Sequence, residues 1–127
     1  MPDPRVNEPA ALTEMREAFA RYEKALTTND IATLDELFHD SPHTIRLGAG
    51  EELFGYPEIA EFRRRRPAAG LNRDEVRSEV TVFDDRFAVT SLVFTRDNVA
   101  GVGRQTQTWV RFAEGWRVVA AHVSQRG

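Results

Sequence analysis

The sequence predicts an α+β domain in which a curved antiparallel sheet wraps around three helices drawn from the N-terminal half. Apolar residues recur at helical spacing only before Pro67, and four long alternating segments follow from Asp74 onward. Short polar turns join those segments, which reads as an antiparallel meander. Helices that precede strands instead of alternating with them indicate an α+β layer arrangement. A sheet curved around helices encloses a cavity, so the inward faces are where function is sought.

The first helix is predicted over Asn7 to Thr28. Its apolar residues Leu12, Met15, Phe19, Tyr22 and Leu26 fall on one stripe, with Tyr22 on the buried side. Asn7 is the expected N-cap, Pro9 suits the first turn, and Asn29-Asp30 ends this helix and caps the next. The second helix carries Ile31, Leu34, Leu37 and Phe38 and stops at His39-Asp40-Ser41-Pro42, because a residue before proline is pushed out of helical angles. His43 to Leu47 alternates, with Ile45 and Leu47 on one face and Thr44 and Arg46 on the other; Gly48-Ala49-Gly50 turns the chain into Glu51 to Phe54. A third helix runs from Tyr56-Pro57 through Arg63-Arg64-Arg65-Arg66 to Pro67, with Ile59, Phe62, Arg63 and Arg66 inward and Arg64 and Arg65 toward water. The strands are expected at Asp74 to Phe83, Phe87 to Arg96, Val102 to Phe112 and Trp116 to Ser124. One domain, residues 1–127, is expected, with an ordered core from about 7 to 124 and loose ends at Met1 to Val6 and Gln125 to Gly127.

Composition removes several function classes. A chain of 127 residues, 41% of them hydrophobic, suffices for one real core. The absence of cysteine excludes a disulfide framework, a thiol nucleophile and a thiolate metal site. A net charge of -3 argues against nucleic acid as a partner. No apolar run approaches the ~20 residues of a membrane span and no secretory leader is evident, so a soluble, cytoplasmic protein without a membrane partner is expected.

Arg46 is the most informative residue, a lone cation in the middle of a short strand. It reads either as a salt-bridge residue on an exposed sheet edge or as the cationic wall of a pocket, since small Thr44 and Gly48 leave room beside it. Tyr22 reads either as a core tyrosine or as a proton shuttle, because a cation beside its hydroxyl favours the phenolate. Arg63, Arg66, Arg104 and His122 are further candidates to bind substrate. Trp116, Val118, Ala120, His122 and Ser124 are expected on one face of the last strand, and Arg104, Thr106 and Thr108 on one face of the strand before it. His39, Asp40 and His43 lack a further metal ligand, and Glu51-Glu52 and Asp84-Asp85 read as surface charge. Gly48-Ala49-Gly50 leads into a strand instead of a helix, so no phosphate loop, and neither metal nor cofactor, is indicated.

Ser41-Pro42-His43-Thr44-Ile45-Arg46-Leu47-Gly48-Ala49-Gly50-Glu51, together with Phe54-Gly55, Phe62-Arg63 and Gly103-Arg104-Gln105-Thr106-Gln107-Thr108-Trp109-Val110, resembles the AtzH/HpxZ family. The closing Gly115-Trp116-Arg117-Val118-Val119-Ala120-Ala121-His122-Val123-Ser124 is similar to the last strand of the wider SnoaL-like superfamily. This resemblance, which covers about Asn7 to Ser124, implies a cone-shaped domain of the nuclear-transport-factor-two type, usually a homodimer through its sheet. It also implies a place beside an amidase-signature enzyme in the breakdown of small nitrogenous compounds. One branch of the family implies decarboxylating hydrolysis of 1,3-dicarboxyurea to allophanate in cyanuric acid catabolism, and the other a less defined role in oxalurate catabolism. The catalytic pair implied by the resemblance maps onto Tyr22 and Arg46. A small dicarboxylate is then the expected substrate. The alternatives are a non-catalytic accessory protein of the amidase and a ketosteroid-isomerase-like proton-transfer enzyme, the latter weakened by the lack of an evident inward carboxylate base.

Overall fold

A computed structural model describes residues 1–127. Three helices, α1 (Pro9–Thr27), α2 (Ile31–Leu37) and α3 (Tyr56–Arg65), are combined with six strands: β1 (Ile45–Leu47), β2 (Glu52–Phe54), β3 (Asp74–Phe83), β4 (Phe87–Thr95), β5 (Val102–Phe112) and β6 (Gly115–Arg126). The strand order is β2-β1-β6-β5-β4-β3. The predicted α+β layout holds, with one difference in the sheet: β1 lies parallel to β6, while every other pair is antiparallel. That pair is joined through α3 and the whole meander, so no tight turn forces it to be antiparallel.

The apolar stripe of α1 buries Met15, Phe19, Tyr22, Ala25 and Leu26. Leu34 and Leu37 of α2 and Ile59 of α3 join them in one core with Val82, Ala88, Leu92, Phe94, Trp109, Trp116, Val118 and Ala121 from a single face of the sheet. Asp30 caps α2 as expected, its Oδ1 accepting from the Thr33 amide at 3.2 Å. Asn7 does not cap α1. It sits at a positive φ of 56° and straps the chain to β3, donating its amide to the Val82 carbonyl and accepting from the Val82 amide on Oδ1. Parts of the predicted loose ends are tied: Val6 bridges Phe83, the Arg5 amide donates to Asp84 Oδ1, and β6 continues to Arg126 opposite Val102.

A β-bulge separates the two halves of β6. Thr108 pairs with Ala120 whereas Trp109 pairs with Val118, which leaves Val119 as the extra residue. The alternation therefore shifts: Trp116 and Val118 face the helices, and beyond the bulge Ala121 does so while His122 is exposed. The opposite face of the sheet bears a shallow depression lined by Ile45, Leu47, Arg104, Thr108, Ala120 and His122. No helix is long and apolar enough to cross a membrane.

Candidate active site

Polar side chains are buried on the helix-facing side of the sheet, Thr90 from β4 and Gln105 and Gln107 from β5. Tyr22 projects from the buried stripe of α1 and is 4% exposed. Its ring is tilted against Phe38 at 6.1 Å and meets Trp109 edge-on at 6.3 Å. Both contacts fix where its hydroxyl points.

Arg46 shares its inward face with Thr44, which is 1% exposed and donates to the His39 carbonyl at 2.7 Å. The Arg46 guanidinium lies 5.4 Å from the centre of the Phe62 ring, and its Nη1 lies 3.6 Å from Glu51 Oε2. That separation gives an ion pair too long for a hydrogen bond, so Nη1 and Oε2 are both buried without a hydrogen-bond partner. Glu51 was expected at the surface, as a turn carboxylate usually is. It folds inward because Gly48 lacks a side chain: a Cβ there would sit 2.2 Å from the Glu51 carboxylate oxygens. The turn is closed by the Gly48 amide donating to the Glu51 carbonyl at 2.8 Å.

Arg66 takes extended backbone angles at the end of α3, as a residue before proline does, and this turns its side chain inward. Its Nε and Nη2 are buried without partners. Burial holds its pKa below the ordinary guanidinium value; Tyr22 opposes that shift, while Arg63, Arg46 and Arg73 add repulsion. Arg96 behaves likewise: its Nε is buried and unpartnered, and burial, then Arg73 and Arg46, lower its pKa. Arg73 is held by Glu23, donating to both carboxylate oxygens at 3.0 and 2.6 Å, and to Gln105 Oε1 at 3.1 Å. Arg73 and Arg96 share the Phe94 ring, at 4.5 and 5.2 Å from its centre.

Of Arg46, Arg66, Arg73 and Arg96, two are ion-paired, with Glu51 and Glu23; the four cations less two carboxylates leave two positive charges in excess. Arg66 and Arg96 are half-buried, but their shielded donors without partners are costly, and an anion with two charges relieves both costs.

The remaining sequence candidates lie elsewhere. Arg63 does point inward, but toward α2. It is 3% exposed, donates to Asp35 Oδ1 at 2.7 Å and covers the Phe38 ring at 4.8 Å, so it ties α3 to α2. Arg104 and His122 line the opposite face of the sheet, where Arg104 Nε donates to Ser124 Oγ at 3.2 Å. The bulge at Val119 accounts for His122, since one inserted residue reverses the face of every later side chain. His39 stacks on Phe112 at 4.1 Å. Sequence reasoning missed Arg73, Arg96, Glu51 and Glu23. A signal for the first two was available: Asp74 pairs with Thr95, so the arginines just outside those positions must lie side by side at one end of the sheet.

Helices packed on one face of a six-stranded sheet define the NTF2-like, cystatin-like fold class. A Pseudomonas putida NTF2-like protein of unknown function shares this fold at a TM-score of 0.77 with 17% identity, over 92% of this chain and 87% of that one. Within the class, the chain belongs to the family described as AtzH-like, whose model matches residues 4–127. A Pectobacterium atrosepticum protein of unknown function is 51% identical at a TM-score of 0.94, over 96% of this chain and 95% of that one. A Burkholderia xenovorans cystatin-like fold protein is 40% identical at a TM-score of 0.92, over 96% of each chain. Comparison with curated proteins finds no match.

Proposed function

We propose that the protein is an amidohydrolase that removes one terminal carboxyl group from a small planar dicarboxylate, 1,3-dicarboxyurea, to leave allophanate. The observation that carries this reading is the excess of two positive charges, on half-buried Arg66 and Arg96 with shielded donors, the former close enough to Tyr22 to feel its charge. A dianion of this size gains charge-assisted hydrogen bonds of about 1.5 to 3 kcal/mol each from guanidinium donors. In the balanced reaction, the dianion and one water give allophanate and bicarbonate. Water adds to one terminal carboxyl carbon, the bond from that carbon to nitrogen breaks, and the electron pair goes to the nitrogen. Arg46 orients the carboxylate and offsets its charge in the transition state, and Tyr22 gives its proton to the departing nitrogen and is restored by the proton the attacking water releases. Side chains handle both charge and proton, so the reaction as written calls on neither metal nor organic cofactor.

Glu51 gives a ketosteroid-isomerase-like reading the inward carboxylate it lacked, but that carboxylate is paired with Arg46 in a cationic interior, a poor setting for an apolar ligand. The outer sheet face, with half-buried Ile45 and Leu47 beside Thr108, suits pairing with a second copy of the chain. A native mass of two chains, reduced to one by Thr108→Glu, checks that arrangement. The catalytic test generates 1,3-dicarboxyurea in situ with the partner amidase and separates labelled allophanate from the urea of spontaneous decay. Tyr22→Phe and Arg46→Ala are expected to lower allophanate formation by about 10²-fold or more while folding normally. Full turnover in either folded variant overturns the reading, and urea with or without the protein transfers it to a non-catalytic accessory role beside the amidase.

A further inference from the structure

Two inward glutamines on β5, two residues apart, have different fates. Gln105 is fully engaged, accepting from Arg73 and donating from Nε2 to Glu23 Oε2 at 3.3 Å. Gln107 is 0% exposed, yet its Nε2 is a buried donor with no partner. Its amide is locked by a relay. Trp109 Nε1, which can only donate, gives its hydrogen to Thr90 Oγ1 at 3.0 Å; Thr90 Oγ1 in turn donates to Gln107 Oε1 at 3.2 Å. The relay fixes which end of the amide is the free donor. Trp109 is also the ring that meets Tyr22 edge-on, so the same side chains set the tyrosine and the amide.

Sheet register places Gln107 opposite Arg46 with only a methyl group between them. Gln107 pairs with Ala121 on one side, and Ala121 pairs with Arg46 on the other. The two backbones are therefore two strand spacings apart, roughly 9.6 Å. Both side chains therefore stand on the inner face, on either side of Ala121, and each has an unpartnered buried donor, Arg46 Nη1 and Gln107 Nε2.

We propose that Gln107 is a further substrate-binding residue, donating Nε2–H to the carbonyl oxygen at the centre of the dicarboxylated urea whose terminal carboxylate Arg46 holds. This inference rests on the reading of the site as a dicarboxylate site. An amide is neutral, so it suits a neutral carbonyl, and the charged groups are left to the arginines. The contact also strengthens during reaction. As the bond from nitrogen to the terminal carboxyl carbon breaks, the nitrogen pair delocalises onto the adjacent carbonyl oxygen, and a fixed donor there stabilises the charge that develops.

The test compares two dianions of matched length by calorimetry: 3-oxoglutarate, which carries a central carbonyl, and glutarate, which carries a methylene there. The wild-type protein is expected to bind 3-oxoglutarate about tenfold more tightly, the size of one good hydrogen bond. Gln107→Leu, folded by circular dichroism, is expected to bind the two equally, with glutarate affinity within about threefold of wild type. Equal binding by the wild-type protein, which requires no variant, overturns the role of Gln107 and leaves the dicarboxylate reading intact. A preference retained in Gln107→Leu also overturns it. Binding of neither dianion removes the dicarboxylate reading and this inference with it.

Discussion

Replacing Arg66 with methionine is expected to make the unliganded protein more stable and the liganded one less so. Arg66 carries two buried donors without partners and no carboxylate, and it is repelled by Arg63, Arg46 and Arg73. An unsatisfied buried donor costs about 1 to 3 kcal/mol, and replacing buried charge by apolar volume commonly stabilises by about 1 to 4 kcal/mol. Loss of the favourable interaction with Tyr22 offsets part of that, which leaves a net gain of about 1 to 3 kcal/mol. With an unfolding entropy of about 2.1 cal/mol/K per residue over 127 residues, each kcal/mol moves Tm by about 4 °C, so Arg66→Met is expected to melt about 4 to 12 °C higher. Ligand reverses the order. A dianion at 100 times its Kd stabilises the wild type by about 2.7 kcal/mol, or about 10 °C, and the variant loses most of that shift. Scanning calorimetry in a buffer free of phosphate and carboxylates, with and without 3-oxoglutarate, reads both effects. A lower Tm for the unliganded variant, or an undiminished ligand shift, refutes the charge accounting.

Other variants separate the scaffold from the site. Asp35→Ala leaves Arg63 charged and buried and is expected to cost about 3 to 5 kcal/mol in urea unfolding, with kcat per folded molecule unchanged; a loss below 1 kcal/mol would return Arg63 to the site. Gly103→Ala places a Cβ about 2.2 Å from the Phe94 ring that supports Arg73 and Arg96, so a loss of about 1 to 3 kcal/mol together with weaker dianion binding is expected, and unchanged binding would show that Phe94 does not position them. Asp30 and Glu36 are held below the ordinary carboxylate pKa by hydrogen bonds from Thr33 and Arg21 respectively. Their contribution is full above the unfolded carboxylate value of about 4 and is lost as pH falls through the lower folded values. Urea midpoints below pH 4 should therefore fall less steeply in Asp30→Asn/Glu36→Gln than in the wild type, and parallel curves would refute that assignment.

The parts of the fold legible in the sequence are those governed by one period. The stripe from Leu12 to Leu26 places Tyr22 inward, and the alternation of Thr44 to Leu47 places Arg46 on the face opposite Ile45 and Leu47, because helix and strand each repeat a fixed direction. Reading fails where the period breaks. A bulge at Val119 leaves no mark in an apolar run of Val118 to Ala121, yet it decides that His122 leaves the interior. Arg63 and Arg66 look equivalent on a helical wheel, but Arg66 stands one residue past the helix, where Pro67 sets its backbone. Glu51 was hidden by the ordinary behaviour of turn carboxylates; only the missing Gly48 side chain lets it fold back over the turn.

Net charge misleads for the same reason that periodicity does, since it averages over what the fold separates. A chain of -3 offers a dianion no long-range attraction, and its electrostatic steering is unfavourable. The excess of two cations lies on half-buried side chains, and at their shielded donors a Debye length of about 8 Å in physiological salt matters little. Capture must then depend on short contacts made after encounter. Loss of Gln107 is expected to act mainly by hastening dissociation instead of slowing association, because a neutral amide adds nothing to the field an approaching anion meets outside the fold. The Arg46–Glu51 pair fits this division: at 3.6 Å it keeps a cation inside the protein without using up the donor that a substrate carboxylate would take.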